Sequence, residues 1–127
     1  MCFVHVLLNS PYMAEKGMEG KIVIEGDAVK LIPEMVKPEH FFNQLNVKVR
    51  EQNLLIVACR ACSIKLGVVA IIEEEGIELI GDMSGHPAMS DYIDQGYTIQ
   101  TFYKDKWLWF TSILLTHFRK GVASAVV

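Results

Sequence analysis

Residues 54–62 read Leu54-Leu55-Ile56-Val57-Ala58-Cys59-Arg60-Ala61-Cys62. The five apolar residues that open this stretch show no polar alternation, the pattern of a strand covered on both faces, as in a parallel sheet. A Cys-x-x-Cys pair follows at the carboxyl end of that strand. In open α/β sheets, ligands gather outside the carboxyl ends of the strands, so the pair stands where chemistry is expected.

Upstream, Cys2 to Lys16 is closely spaced apolar sequence ending at Gly17, a residue suited to the position just past a helix end. It predicts a helix. Lys21-Ile22-Val23-Ile24 is a short β-branched run and predicts a buried strand. It ends at Glu25-Gly26-Asp27. Ala28 to Val36 has helical spacing limited by Pro33, and Pro38 predicts the start of a further helix through Phe41, Phe42, Leu45 and Val49.

Downstream, Ser63 to Leu66 predicts a helical turn closed by Gly67. Val68 to Glu75 predicts a helix, and Ile77 to Ile80 a strand. Ser84-Gly85-His86-Pro87 reads as a helix start, with Gly96 as the stop. Tyr97 to Phe102 alternates as a last strand would. Strands alternating with helices predict an α/β architecture: a parallel sheet with helices on its faces. The loops at Glu25–Asp27, Cys59–Cys62 and Asp82–His86 then converge on one edge.

The chain has 127 residues, which suits one domain with its own core. A net charge of −3 without a long basic run disfavours nucleic acid and anionic membrane as partners. No basic segment precedes the first apolar stretch, so no signal peptide is expected. The apolar window Trp107 to Phe118 is far below the ~20 residues of a spanning helix. Three cysteines do not make a secreted disulfide framework. A reducing, cytoplasmic setting fits better, where a close pair points to redox, sulfur or metal work.

Cys59 and Cys62 are the candidate reactive groups. The thiolate is the nucleophile, and the spacing lets one sulfur attack while the other resolves a mixed disulfide. Arg60 and Lys65 would favour the anion. Buried, inert cysteines are the plainer alternative. Glu25 would accept a proton beside the pair, or else belong to an ordinary polar turn in which Asp27 caps the following helix. His86 would be a base or electrostatic partner, or a plain loop residue beside proline. His5 reads as a core histidine unless its helix faces the same edge. The Glu73–Glu75 run reads as a solvated face. Structural zinc wants four ligands, commonly from two knuckles. Because His86, His40, His5 and Cys2 show no paired spacing, no metal site and no cofactor are expected.

Five segments in order resemble the DsrE/DsrF-like proteins, small sulfur-relay and persulfide-carrier domains: 3–9, 23–28 with Lys30-Leu31, Cys59 to Cys62 with Lys65-Leu66-Gly67, 82–87, and Tyr92 with Gly96-Tyr97 before Phe102. They cover residues 1–102, leaving 103–127 as an unmatched apolar tail. The resemblance implies a flavodoxin-like, three-layer α/β/α fold and a homo-oligomer. It also implies persulfide carriage at Cys59, with Cys62 as second thiol and Glu25, Arg60, His86 and His5 lining the site. Sulfur donor and acceptor proteins or small sulfur compounds would be the partners. Members of that family start with a strand that is central in a flavodoxin-like order. Here Met1 falls where that strand would have ended, so an incomplete N-terminus and two unpaired neighbours are expected, unless the tail, strand or helix at Trp107 to Leu115, fills the gap.

The residues and the resemblance fit three functions. The first is a sulfur carrier or sulfurtransferase. A thiol–disulfide oxidoreductase or redox sensor is the second. The third is a non-enzymatic oligomeric binding module whose cysteines merely pack.

Overall fold

The computed structural model describes residues 2–52, 54–102 and 113–116. Helix α1 (Cys2–Glu15) leads into strand β1 (Gly20–Ile24). A 3-10 turn (Gly26–Lys30) and the short α2 (Leu31–Met35) follow, then α3 (Asn43–Glu51), β2 (Leu55–Cys59), α4 (Arg60–Lys65), α5 (Val69–Glu74), β3 (Glu78–Ile80), α6 (Met89–Asp94), β4 (Ile99–Thr101) and β5 (Ile113–Thr116).

The strands form one sheet in the order β3-β2-β1-β5-β4. β1, β2 and β3 are parallel, with Ile24 opposite Ala58 and Cys59 opposite Ile80. β5 is antiparallel to both β1 and β4. The fold is therefore of the expected α/β class, with a three-stranded parallel core flanked by helices, consistent with a flavodoxin-like α/β/α architecture; the antiparallel β5 makes the sheet mixed where an all-parallel one was expected. A strand from the segment after Phe102 lies between β1 and β4, so those two strands do not meet a gap. Residues 103–112 and 117–127, including most of the Trp107–Leu115 stretch, lie outside the described residues.

Side chains alternate across the sheet with period two. Ile22, Ile24, Ile56 and Ala58 join a core with Phe3, Val6 and Leu7 of α1, Ile32 and Met35 of α2, Val49 of α3 and Ile72 of α5. Val23 and Val57 point the other way, toward Tyr92, Tyr97 and Ile99. Burying one such aliphatic side chain stabilises by about 1.5–3 kcal/mol, so the helix-rich first face supplies most of the hydrophobic stabilisation. Pro11 is buried inside α1 and cannot bond the Leu7 carbonyl; the Asn9 and Ser10 side chains meanwhile donate to the His5 and Val6 carbonyls.

Two boundaries differ from the sequence reading. The helix expected from Pro38 begins at Asn43. Local polar groups hold residues 38–42 in turns: His40 Nδ1 accepts the Phe42 N–H at 3.2 Å, and Asn43 Nδ2 donates to the Met35 and Val36 carbonyls. Ser84-Gly85-His86-Pro87 is not a helix start. Met83 and His86 exchange two backbone hydrogen bonds of 2.9 Å across Ser84 (φ 50°) and Gly85 (φ 90°). Two central residues with positive φ make a type I′ turn, and α6 begins only at Met89. Among the described residues, no helix is long and apolar enough to cross a membrane.

Candidate functional site

The parallel register sets the site. Cys59 is the last residue of the middle strand β2, and the loops leaving β1 and β3 rise on either side of it. The chain then turns straight into α4, so Cys59 occupies the N-cap position, with φ −65° and ψ 119°. Its sulfur faces the Cys62 N–H at 3.5 Å, and Ser63 Oγ donates to the Cys59 carbonyl at 2.7 Å. These contacts fold the Cys-x-x-Cys segment back so that both sulfurs face one rim.

The β1 loop contributes an amide. Gly26 has φ 62°, a left-handed conformation that glycine adopts without strain. Its N–H points at Cys62 Sγ, 3.2 Å away. The β3 loop contributes the type I′ turn. Gly85 O accepts the Ala61 N–H at 2.8 Å and lies 3.7 Å from Cys59 Sγ. The fit at Gly85 is tight: a Cβ there would stand 3.1 Å from that of Ala61, so one of the two would have to shift by a few tenths of an ångström. This close docking carries His86 onto the cysteines, with Nδ1 3.3 Å from Cys59 Sγ and 4.0 Å from Cys62 Sγ.

The two thiols are not equivalent. Cys59 is fully buried, whereas Cys62 is half-buried at the rim. Loss of water raises the Cys59 thiol from an ordinary 9.0 to about 12; the Cys62 amide works against this, and the neighbouring Cys62 sulfur and Glu25 add to it. The accessible sulfur is thus Cys62, although position at the strand end favours Cys59. Glu25 is half-buried beside the pair. Burial raises its carboxyl above the ordinary range, and the nearby His86 opposes this.

The other sequence candidates lie apart. Arg60 is exposed and its guanidinium donates to the Leu79 carbonyl at 3.0 Å. Lys65 sits at the solvent-facing end of α4. Asp27 does not cap a helix; it pairs with Lys30 at 3.3 Å. His5 is exposed on α1, which packs chiefly on α3 and β1. Residues 73 and 74 of the Glu73–Glu75 run are exposed, while Glu75 pairs with Arg50 at 3.0 Å.

Spacing along the chain did not disclose a trio of groups that could ligate a metal, because its third member comes from another loop. Cys59 Sγ, Cys62 Sγ and a His86 ring nitrogen all lie within 4.8 Å of one another. The Gly26 amide and the Gly85 carbonyl were also missed as site groups. Their sequence signal was present in Glu25-Gly26-Asp27 and Ser84-Gly85-His86: a glycine at each loop where positive φ is needed.

No family model and no solved structure matches the chain. It is similar to the uncharacterized protein MJ0733 of Methanocaldococcus jannaschii, with 32% identity over 96 residues, which are 76% of each chain. A match of that identity and extent takes in the bulk of both sequences, and the chain belongs to the same protein family as this archaeal relative.

Proposed function

We propose that this protein carries sulfane sulfur as a cysteine persulfide, in the manner of the DsrE/DsrF-like proteins it resembles, with Cys62 as the sulfur that takes it up. One observation carries the reading: a single imidazole nitrogen serves two sulfurs of unequal exposure, at 3.3 Å from buried Cys59 and 4.0 Å from accessible Cys62.

The chemistry balances with a persulfide donor. His86 takes the Cys62 proton, and the thiolate attacks the outer sulfur of the donor. A Cys62–sulfur bond forms as the donor S–S bond breaks. The donor leaves as a thiolate and receives the proton from His86. The Gly26 N–H supports the anion on Cys62 before attack. Delivery is the reverse step onto an acceptor thiolate. Sulfur donors and acceptors, protein or small molecule, are the partners in this reading, and self-association of the chain belongs to it.

Mass spectrometry after incubation with polysulfide tests it. The wild type gains the mass of one sulfur, Cys59→Ser still loads, and Cys62→Ser does not. No gain on the wild type, or full loading of Cys62→Ser, would overturn the reading.

The closeness of the two sulfurs also favours a second reading, a thiol–disulfide pair that passes two electrons to an oxidised dithiol partner. That reading requires a Cys59–Cys62 disulfide whose potential falls within roughly −120 to −300 mV. A redox titration against a dithiol buffer gives the value directly.

A further inference from the structure

Zinc bound by cysteine and histidine has Zn–S bonds near 2.3 Å and Zn–N bonds near 2.0–2.1 Å. Tetrahedral angles then place each sulfur about 3.6 Å from the nitrogen, and the two sulfurs about 3.8 Å apart. The distances from His86 Nδ1 are 3.3 Å to Cys59 and 4.0 Å to Cys62, straddling the first of these values. The two sulfurs lie within 4.8 Å of each other. A metal ion thus shifts each sulfur–nitrogen distance by a few tenths of an ångström and draws the two sulfurs together by at most about 1 Å.

The surroundings suit it as well. Two thiolates and one Zn²⁺ are neutral together, which suits a rim where one sulfur is fully buried. The Gly26 N–H already faces the Cys62 sulfur, and the Cys62 N–H faces that of Cys59. Such amides hold ligating thiolates in place. His86 is exposed and Cys62 half-buried at the rim, so an ion can enter.

We propose that Cys59, Cys62 and His86 form a three-ligand zinc site whose fourth coordination position is open to water or a small ligand. Three protein ligands with one open position are the arrangement of zinc centres that bind or activate a ligand. Binding releases the two thiol protons to solvent as two sulfur–zinc bonds form. Zinc and a persulfide then compete for the same sulfurs. The inference does not depend on the carrier reading.

The test uses the full-length chain, reduced and stripped with a chelator. It is titrated with Co²⁺ as a spectroscopic probe, then with Zn²⁺ against a chromophoric chelator. One equivalent of Co²⁺ is expected, with a thiolate-to-cobalt charge-transfer band and tetrahedral d–d absorption, and Zn²⁺ displaces it. Cys62→Ser and His86→Ala, both at the rim, each weaken binding by more than the roughly 10–100-fold that loss of an outer hydrogen-bond partner costs. His5→Ala leaves binding unchanged. Failure of the reduced chain to bind, or binding that survives both ligand substitutions without the charge-transfer band, overturns the proposal. A chain that loads sulfane sulfur yet fails here overturns the zinc site alone, and one that binds zinc yet loads no sulfur overturns the carrier reading alone.

Discussion

The Gly26 amide points at the Cys62 sulfur from 3.2 Å, joining two loops 36 residues apart. It gives Cys62 a donor that steadies an anion, whereas Cys59 lies behind it without exposure. Reactivity follows thiolate character and access. Under native conditions Cys62 should therefore be alkylated by iodoacetamide at least about tenfold faster than Cys59. Peptide mapping of a time course reads the two rates. Faster labelling of Cys59 would contradict the assignment of roles. Gly26→Ala should slow Cys62 labelling and also destabilise the fold by about 1–2 kcal/mol, because a Cβ is strained at φ 62°.

The buried thiol also predicts how stability responds to alkali. Cys59 is raised from 9.0 to about 12 in the fold. Above pH 9 the unfolded chain loses this proton while the native chain keeps it. Fewer protons on the unfolded state mean that stability falls as pH rises. The contribution is complete below pH 9 and is lost toward pH 12. Tyr92 is raised from 10.0 to about 12, chiefly by burial and then by nearby carboxylates, and adds a second loss that begins one pH unit later. Urea midpoints between pH 8 and 10 should fall more steeply for the wild type than for Cys59→Ser. Parallel curves would show that the sulfur is not held as a buried thiol.

The type I′ turn predicts opposite effects at two adjacent positions. Ser84 occupies φ 50°, where a serine side chain is disfavoured and asparagine is better tolerated. Ser84→Asn should raise stability by about 0.5–1 kcal/mol, since asparagine is among the residues this turn prefers. Gly85→Ala should do the reverse and cost at least about 1 kcal/mol, from positive φ and from the 3.1 Å approach to Ala61. It should also move His86 off the sulfurs and lower sulfur loading. Chemical denaturation and persulfide mass spectrometry read both. A neutral Gly85→Ala would mean that this docking does not position the histidine.

Much of this was legible in the chain. The Leu54–Ala58 run has no polar alternation, so it reads as a strand covered on both faces, and Cys59 then falls at a strand end by counting. The β-branched residues before Glu25 and Asp82 put two more strand ends beside it. What was not legible depends on contacts far apart in sequence. His86 meets the cysteines only because the turn before it docks on Ala61, and Ser84-Gly85 lacks the asparagine or aspartate that advertises such a turn. β5 adds to the sheet by antiparallel pairing with strands that precede it, which no local periodicity encodes. The late start of α3 arises from the His40 and Asn43 side chains satisfying backbone groups before the helix begins, a competition that apolar spacing does not register.

Glu25 should show the conflict between stability and function most clearly. Burial raises its carboxyl above 4.5, and the nearby His86 only partly offsets this. The sign follows from proton counting. A raised acid holds its proton in the native state over a range where the unfolded chain has lost it, so the contribution to stability is present below pH 4.5 and disappears as pH rises through the folded value. At neutral pH the fold therefore bears the cost of a partly desolvated carboxylate. Glu25→Gln removes the charge and keeps the shape, so it should be more stable than the wild type near pH 7, with the difference shrinking toward pH 4. The same substitution takes a negative charge from beside His86, whose task in the carrier reading is to hold a proton drawn from a cysteine. Sulfur loading should then slow even as the protein becomes harder to unfold. Urea denaturation across this pH range and loading kinetics at pH 7 separate the two effects. A variant that loads as fast as the wild type would place Glu25 outside the chemistry, and one that is also less stable would show that its carboxylate makes a compensating contact at the rim.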